Sequence, residues 1–209
     1  MAPRNYTSPV RARHAEDTRQ AILAAALQVF SEKGYAAASM ASIAKVAAVA
    51  LNTVYTSVGG KPELILALTQ EGTDDEEIEK ALARMLEVSP DAERILAVVA
   101  EGTAVVTRRQ LTLLVLVMDN RTADPALATA ADLAEKLYRE RLRRVADHLI
   151  DLDALRPGLT RARAEQILWY HFGVESWRTV RKLGWSWKYA ADWLAGQAAN
   201  ALLVTPSER

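Results

Sequence analysis

From Asp17 to Lys33 the apolar residues Ile22, Ala26, Val29 and Phe30 return at helical spacing, with Leu23 and Leu27 beside them. The pattern predicts a helix that Gly34 ends, after which Tyr35 folds back onto the same core. Ser39 stands where an N-cap hydroxyl would open a second, short helix from about Met40 to Ala47, whose Met40, Ile43, Ala44 and Ala47 share one face. Three small or β-branched residues follow, Ala48, Val49 and Ala50, and then Val54 and Val58 recur four apart in a third segment. This is helix, tight turn, helix. The face left outside carries Asn52, Thr53, Tyr55 and Thr56, short polar or hydroxyl groups able to reach base edges and phosphate oxygens in a major groove. Gly59 and Gly60 close the unit, and Lys61 adds a point charge suited to a phosphate.

The rest of the chain is also helical in period. Leu64, Ile65 and Leu68 predict a linking helix from Lys61 to Glu71 that Gly72 breaks. Thr73, Asp74, Asp75 and Glu76 resemble a capping box before a helix with Ile78, Leu82, Met85 and Leu86 inward. Ser89-Pro90 opens the next, and the segments 95–106 and 111–118 are apolar enough to be two adjacent helices inside a bundle. Pro125 begins a long helix to about Ile150, Thr160 caps one to about Leu183, and Ser186 caps the last, from Trp187 to Val204. No stretch alternates as a strand would, so the fold class is all-α. The expected organisation is an arm over 1–15, a three-helix helix-turn-helix domain over 16–60, and a regulatory and dimerisation bundle of about six helices over 61–209.

Charge sharpens this division. The net charge of the 209 residues is zero, yet Met1 to Lys61 carries seven basic and three acidic residues and the remainder is correspondingly acidic. In the arm, Arg11 and Arg13 could lie along phosphates or enter a minor groove, or the segment could be an untethered terminus. No apolar run approaches the roughly 20 residues of a membrane span, and no apolar stretch follows the basic start, so the expected location is the cytoplasm. Cysteine is absent, which excludes disulfides and thiolate chemistry. Phosphate loops, GxSxG and HExxH are absent too, and His14, His148 and His171 are scattered. Neither catalysis, a metal nor a cofactor is indicated.

All five tryptophans fall between Trp169 and Trp193. At helical spacing such residues pack a core or a homodimer seam, or line a ligand pocket. Trp169, His171 and Phe172 are candidates for a pocket, together with Met85, Leu114 and Met118 on the apolar helices. Glu101 reads either as part of an exposed stripe with Arg94 and Arg108 or as a pocket carboxylate for a cationic group.

From Thr18 to Leu68 the sequence TRQAILAAALQVFSEKGYAAASMASIAKVAAVALNTVYTSVGGKPELILAL resembles the tetracycline-repressor (TetR) family of transcriptional regulators. The resemblance implies that the second helix of the motif reads the major groove and that Tyr55 bonds a phosphate. It also implies that Lys61 lies beside the DNA backbone, that Thr18 makes a contact early in the first helix, and that Ser39 belongs to the DNA-binding end. Three positions depart from the family pattern: Ala48 for glycine, Ala50 for a capping serine and Val58 for phenylalanine. The last two helices would form a dimer seam, with Trp177, Trp187, Leu194 and Ala198 as candidates. The implied function is a homodimeric, ligand-responsive repressor released from a palindromic double-stranded operator by a small apolar or aromatic effector. The alternative is a small-molecule sequestering protein whose helix-turn-helix no longer reads DNA.

Overall fold

A computed structural model describes residues 9–204. Among them are ten helices and no strand; Leu155 and Leu203 form an isolated antiparallel bridge. The all-α expectation holds. No single helix among the described residues is long and apolar enough to cross a membrane.

The chain forms two compact units. Among the described residues, the first comprises those up to Glu71 together with Val115–Asp132, and the second comprises Gly72–Leu114 with those from Leu133 onward. Three helices run from one unit into the other: α4 (Lys61–Thr73), α6 (Ala92–Asp119) and α7 (Pro125–Asp151).

In the first unit, α1 spans Pro9–Ala37 and is interrupted at Gly34, whose φ of 76° is left-handed and suits a residue without a Cβ. The arm expected over 1–15 is thus helical from Pro9 onward, and Arg11 and Arg13 are exposed on that helix; residues 1–8 lie outside the described residues. α2 (Met40–Val46) and α3 (Leu51–Val58) follow. Ile22, Leu23, Phe30, Ile43, Val54 and Leu64 are buried almost completely.

In the second unit α5 is Glu76–Glu87, α8 Arg161–Phe172, α9 Val174–Lys182 and α10 Trp187–Leu202. Four boundaries differ from expectation. Gly72 continues α4, because a Cβ there would stand 2.8 Å from Gln110 Oε1: the glycine permits close approach and does not break the helix. The cap of α5 is Asp75, which accepts from the Glu77 amide at 2.9 Å and the Arg109 guanidinium at 3.0 Å, and not Thr73. The two apolar helices after Pro90 are one helix, α6, in which Asp91 accepts the Arg94 amide at 2.9 Å in the first turn. The helix capped by Thr160 is divided at Gly173, where ψ of 160° leaves the helical region.

That division is well satisfied. The Phe172 carbonyl accepts the Tyr138 hydroxyl at 2.7 Å and the Trp177 indole N–H at 3.1 Å. A Cβ at Gly173 would meet the Trp169 carbonyl oxygen at 2.5 Å.

Candidate nucleic-acid interface

Seven residues suffice for α2 because both ends are closed. Ser39 Oγ accepts the Ser42 amide at 3.1 Å while Ser42 Oγ accepts the Ser39 amide at 3.2 Å, a reciprocal capping box. At the other end the Ala48 amide donates to Lys45 and the Val49 amide to Ala44, the pairing of a left-handed C-terminal cap. Such a cap needs positive φ at its central residue, and Ala48 has φ 55°. For an L-residue with a Cβ this costs about 1–2 kcal/mol. The chain then bends 102° between α2 and α3, within the range of a helix-turn-helix.

Ala50 sits at the N-cap of α3 with no side chain to accept a first-turn amide. Val54 is buried, while Leu51, Asn52, Tyr55 and Thr56 are exposed and Thr53 is half-buried. The expected outward face is therefore present. Its hydroxyls are not all equivalent: Thr56 Oγ1 already donates to the Asn52 carbonyl at 3.0 Å. Thr18, on α1, donates to the His14 carbonyl at 2.8 Å.

Lys61 differs most from its expected place. Its ammonium donates to the carbonyls of Ala38 at 3.0 Å and Ala36 at 3.3 Å and lies 4.5 Å from the centroid of the Tyr35 ring. Two of its three protons thus close the end of α1. Tyr35 also packs against Phe30 at 5.4 Å. Burial, then the charge and hydrogen bond of Asp124, push its phenol above the ordinary range. Gly59, with φ 85°, turns the chain into α4, where the Glu63 carboxylate accepts the Gly60 amide at 2.9 Å. The polar pattern does not point to Leu51 or Lys45, both exposed. Leu51 is four residues before Tyr55 and so shares its face.

In the second unit the candidate pocket residues have distinct surroundings. Phe172 and Met85 belong to the core, and Trp169 packs at its margin against Tyr138, with ring centroids 5.6 Å apart and the Arg139 guanidinium 5.8 Å from its own. His171 is half-buried against Tyr170, and burial lowers its pKa. Leu114 is half-buried, and Met118 lies in the first unit. Glu101 is exposed and stands 4.0 Å from Arg84, on a helix line with exposed Arg94 and Arg108. The surface reading of that stripe fits. A groove of ≈ 440 Å³ runs between α5 and α7, lined by Leu82, Met85, Leu86, Asp147 and His148.

The candidate seam residues are redistributed. Trp177 and Ala198 are wholly buried and Leu194 nearly so within the subunit, which removes them from any surface. Trp187 is half-buried, its ring 5.7 Å from Trp177 and covered by the Arg181 guanidinium. The aromatic residues that α8 and α10 do expose are Tyr170, Tyr189 and Trp193.

Residues 22–68 match the family described as bacterial regulatory proteins, tetR family. No curated protein sequence matches the chain. Among solved structures, the fatty acid degradation regulator FadR from Bacillus halodurans is similar at 20% identity with a TM-score of 0.74, over 87% of this chain and 94% of that one. FadR from Bacillus subtilis, in complex with stearoyl-CoA, has a TM-score of 0.72 at 20% identity, over 86% and 97%. NalD, the secondary repressor of the MexAB-OprM multidrug efflux pump in Pseudomonas aeruginosa, has a TM-score of 0.71 at 21% identity, over 90% and 98%. At these identities the likeness is one of fold. Over residues 22–68, where the helix-turn-helix geometry is complete, the chain is thus similar to the bacterial regulatory proteins of the tetR family.

Proposed function

We propose that the protein is a homodimeric repressor that binds a near-palindromic operator in the cytoplasm and leaves it when a small apolar or aromatic effector binds the second unit. The observation that carries the reading is the outer face of α3, held exposed by a complete helix-turn-helix. Asn52 and Thr53 are the base-reading candidates, and Tyr55, Thr18, Arg11 and Arg13 the phosphate partners. Lys61 acts first by closing α1 and only through that on DNA.

The proposed dimer face is the exposed aromatic surface of α8 and α10, around Tyr170, Tyr189 and Trp193. An effector bound near Trp169, His171 and Phe172 acts on the two-fold dimer through α4, α6 and α7, which are continuous between the units. That FadR of Bacillus subtilis was solved with stearoyl-CoA, whose acyl chain is apolar, and that NalD is a repressor, support an effector with an apolar part and a repressing role.

DNA binding measured against salt tests the reading. A log–log slope of several units, with sequence preference retained at moderate salt, is expected. Negligible affinity for every duplex at low salt would leave the sequestering protein. Trp193→Asp should give a monomer by sedimentation, and native mass spectrometry of freshly purified protein should show any carried small molecule.

A further inference from the structure

The reading helix carries no charge. None of Leu51 to Val58 is Lys, Arg, Asp or Glu, and the turn before it is apolar as well: Val46 and Leu51 are each 44% exposed, and Ala48 and Ala50 are exposed between them. This is unusual for a surface presented to nucleic acid, and it restricts what the helix can recognise. Guanine is most often read by Arg or Lys on O6 and N7, and cytosine N4 by a carboxylate. Neither is available from α3. What α3 fully exposes toward its N-terminal end, the part of a recognition helix that meets base edges, is one amide and one apolar side chain, Asn52 and Leu51; Thr53 beside them is half-buried, and a threonine hydroxyl does not by itself choose between bases. An Asn amide matches adenine N6 and N7; an apolar group matches the C5-methyl of thymine. Thr56 adds little polar capacity, because its hydroxyl proton is held by the Asn52 carbonyl.

We infer that the protein selects A·T pairs at the centre of each operator half-site, with Leu51 packing on a thymine methyl and Asn52 reading an adenine. The inference rests on the operator-binding reading and adds the base chemistry to it. Leu51 is the specificity residue that the polar pattern alone did not indicate. Its exposure in the free protein is then explained by the surface it covers when bound.

The test is selection of duplexes from a random pool by the full chain, followed by base-analogue substitution in the selected site. Half-sites centred on A·T pairs are expected. Replacing thymine by uracil, which removes only the methyl, should weaken binding about fourfold per contacted methyl, the size of one buried methylene. Replacing adenine by 7-deazaadenine should weaken it about tenfold. Leu51→Ala should bind the thymine and uracil duplexes equally, and Asn52→Ala should ignore the deaza substitution. Enrichment of G·C-centred half-sites, or indifference of the parent protein to uracil, would overturn the inference while leaving the regulator reading in place. Failure to enrich any sequence would remove both. The analogue measurements on the parent protein do not depend on any variant folding.

Discussion

The chain leaves the helical conformation at two comparable places, the turn between α2 and α3 and the break between α8 and α9. In the second, Gly173 supplies the small residue, and the Phe172 carbonyl receives two buried donors, Tyr138 and Trp177. In the first, an alanine holds φ 55° and the next helix opens on an alanine whose carbonyl accepts the Thr53 and Val54 amides but whose side chain accepts none. The bundle's interruption is over-determined; the reading unit's is strained and uncapped. The difference follows from burial: an exposed turn can leave its polar groups to solvent or, on the proposed reading, to DNA, whereas a buried carbonyl must find its donors within the protein.

The largest contrast should come from the bundle. Trp177 fills core space and donates to Phe172, so Trp177→Ala should cost about 3–5 kcal/mol in denaturant unfolding. Cooperative unfolding within 1 kcal/mol of the parent, to an order of magnitude, would show that Tyr138 alone holds the break. Glu165 comes next. Its side chain is 7% exposed and accepts Arg139 at 2.9 Å and Arg143 at 3.1 Å, joining α7 to α8. Burial would raise its pKa, but the two arginine hydrogen bonds hold it below the ordinary carboxylate range. A carboxylate with a depressed folded pKa contributes stability above its unfolded value near 4.3, and that stability is lost as pH falls through the folded one. Glu165→Gln should therefore cost about 1.5–3 kcal/mol at neutral pH and flatten the acid limb of the stability profile. An unchanged acid limb would mean the pair contributes nothing.

The same contrast explains what was legible in the sequence. Helices showed wherever apolar period and a side-chain cap coincided, as at Ser39, Thr160 and Ser186, because both effects are local. Gly72 and Gly173 depart from their local signals in opposite directions: the pattern predicts a break at the first, which continues α4, and helix interior at the second, which divides α8 from α9. Their roles depend on Gln110 and on Tyr138 with Trp177, partners that no short window contains. Lys61 shows the same limit of a short window: only the fold brings the Ala36 and Ala38 carbonyls to its ammonium. The aromatic crowding of 169–193 is plain in the sequence, but which rings face inward does not follow from spacing, because the helix breaks at Gly173.

The reading unit should respond in the other direction, gaining stability on repair. Ala50→Ser places a hydroxyl at the N-cap of α3, where it can accept a first-turn amide, and should add about 1 kcal/mol. Thermal unfolding and amide exchange in 51–54 would register it. No added protection there would show that the α3 amides are already satisfied.

The smallest effect expected is at the turn itself, and it is the most specific. Ala48→Gly relieves about 1–2 kcal/mol of left-handed strain. The glycine also gives the unfolded chain more freedom, which offsets about 0.5–1 kcal/mol. A net gain of roughly 0.5 kcal/mol in equilibrium unfolding is left. Because the strain is released without altering the α2–α3 geometry, DNA affinity should stay within about twofold of the parent. A loss of stability would mean the turn does not hold the left-handed conformation. A gain in stability with a large loss of DNA affinity would mean that the bound turn uses a different conformation, and that the strain at Ala48 belongs to the free protein alone.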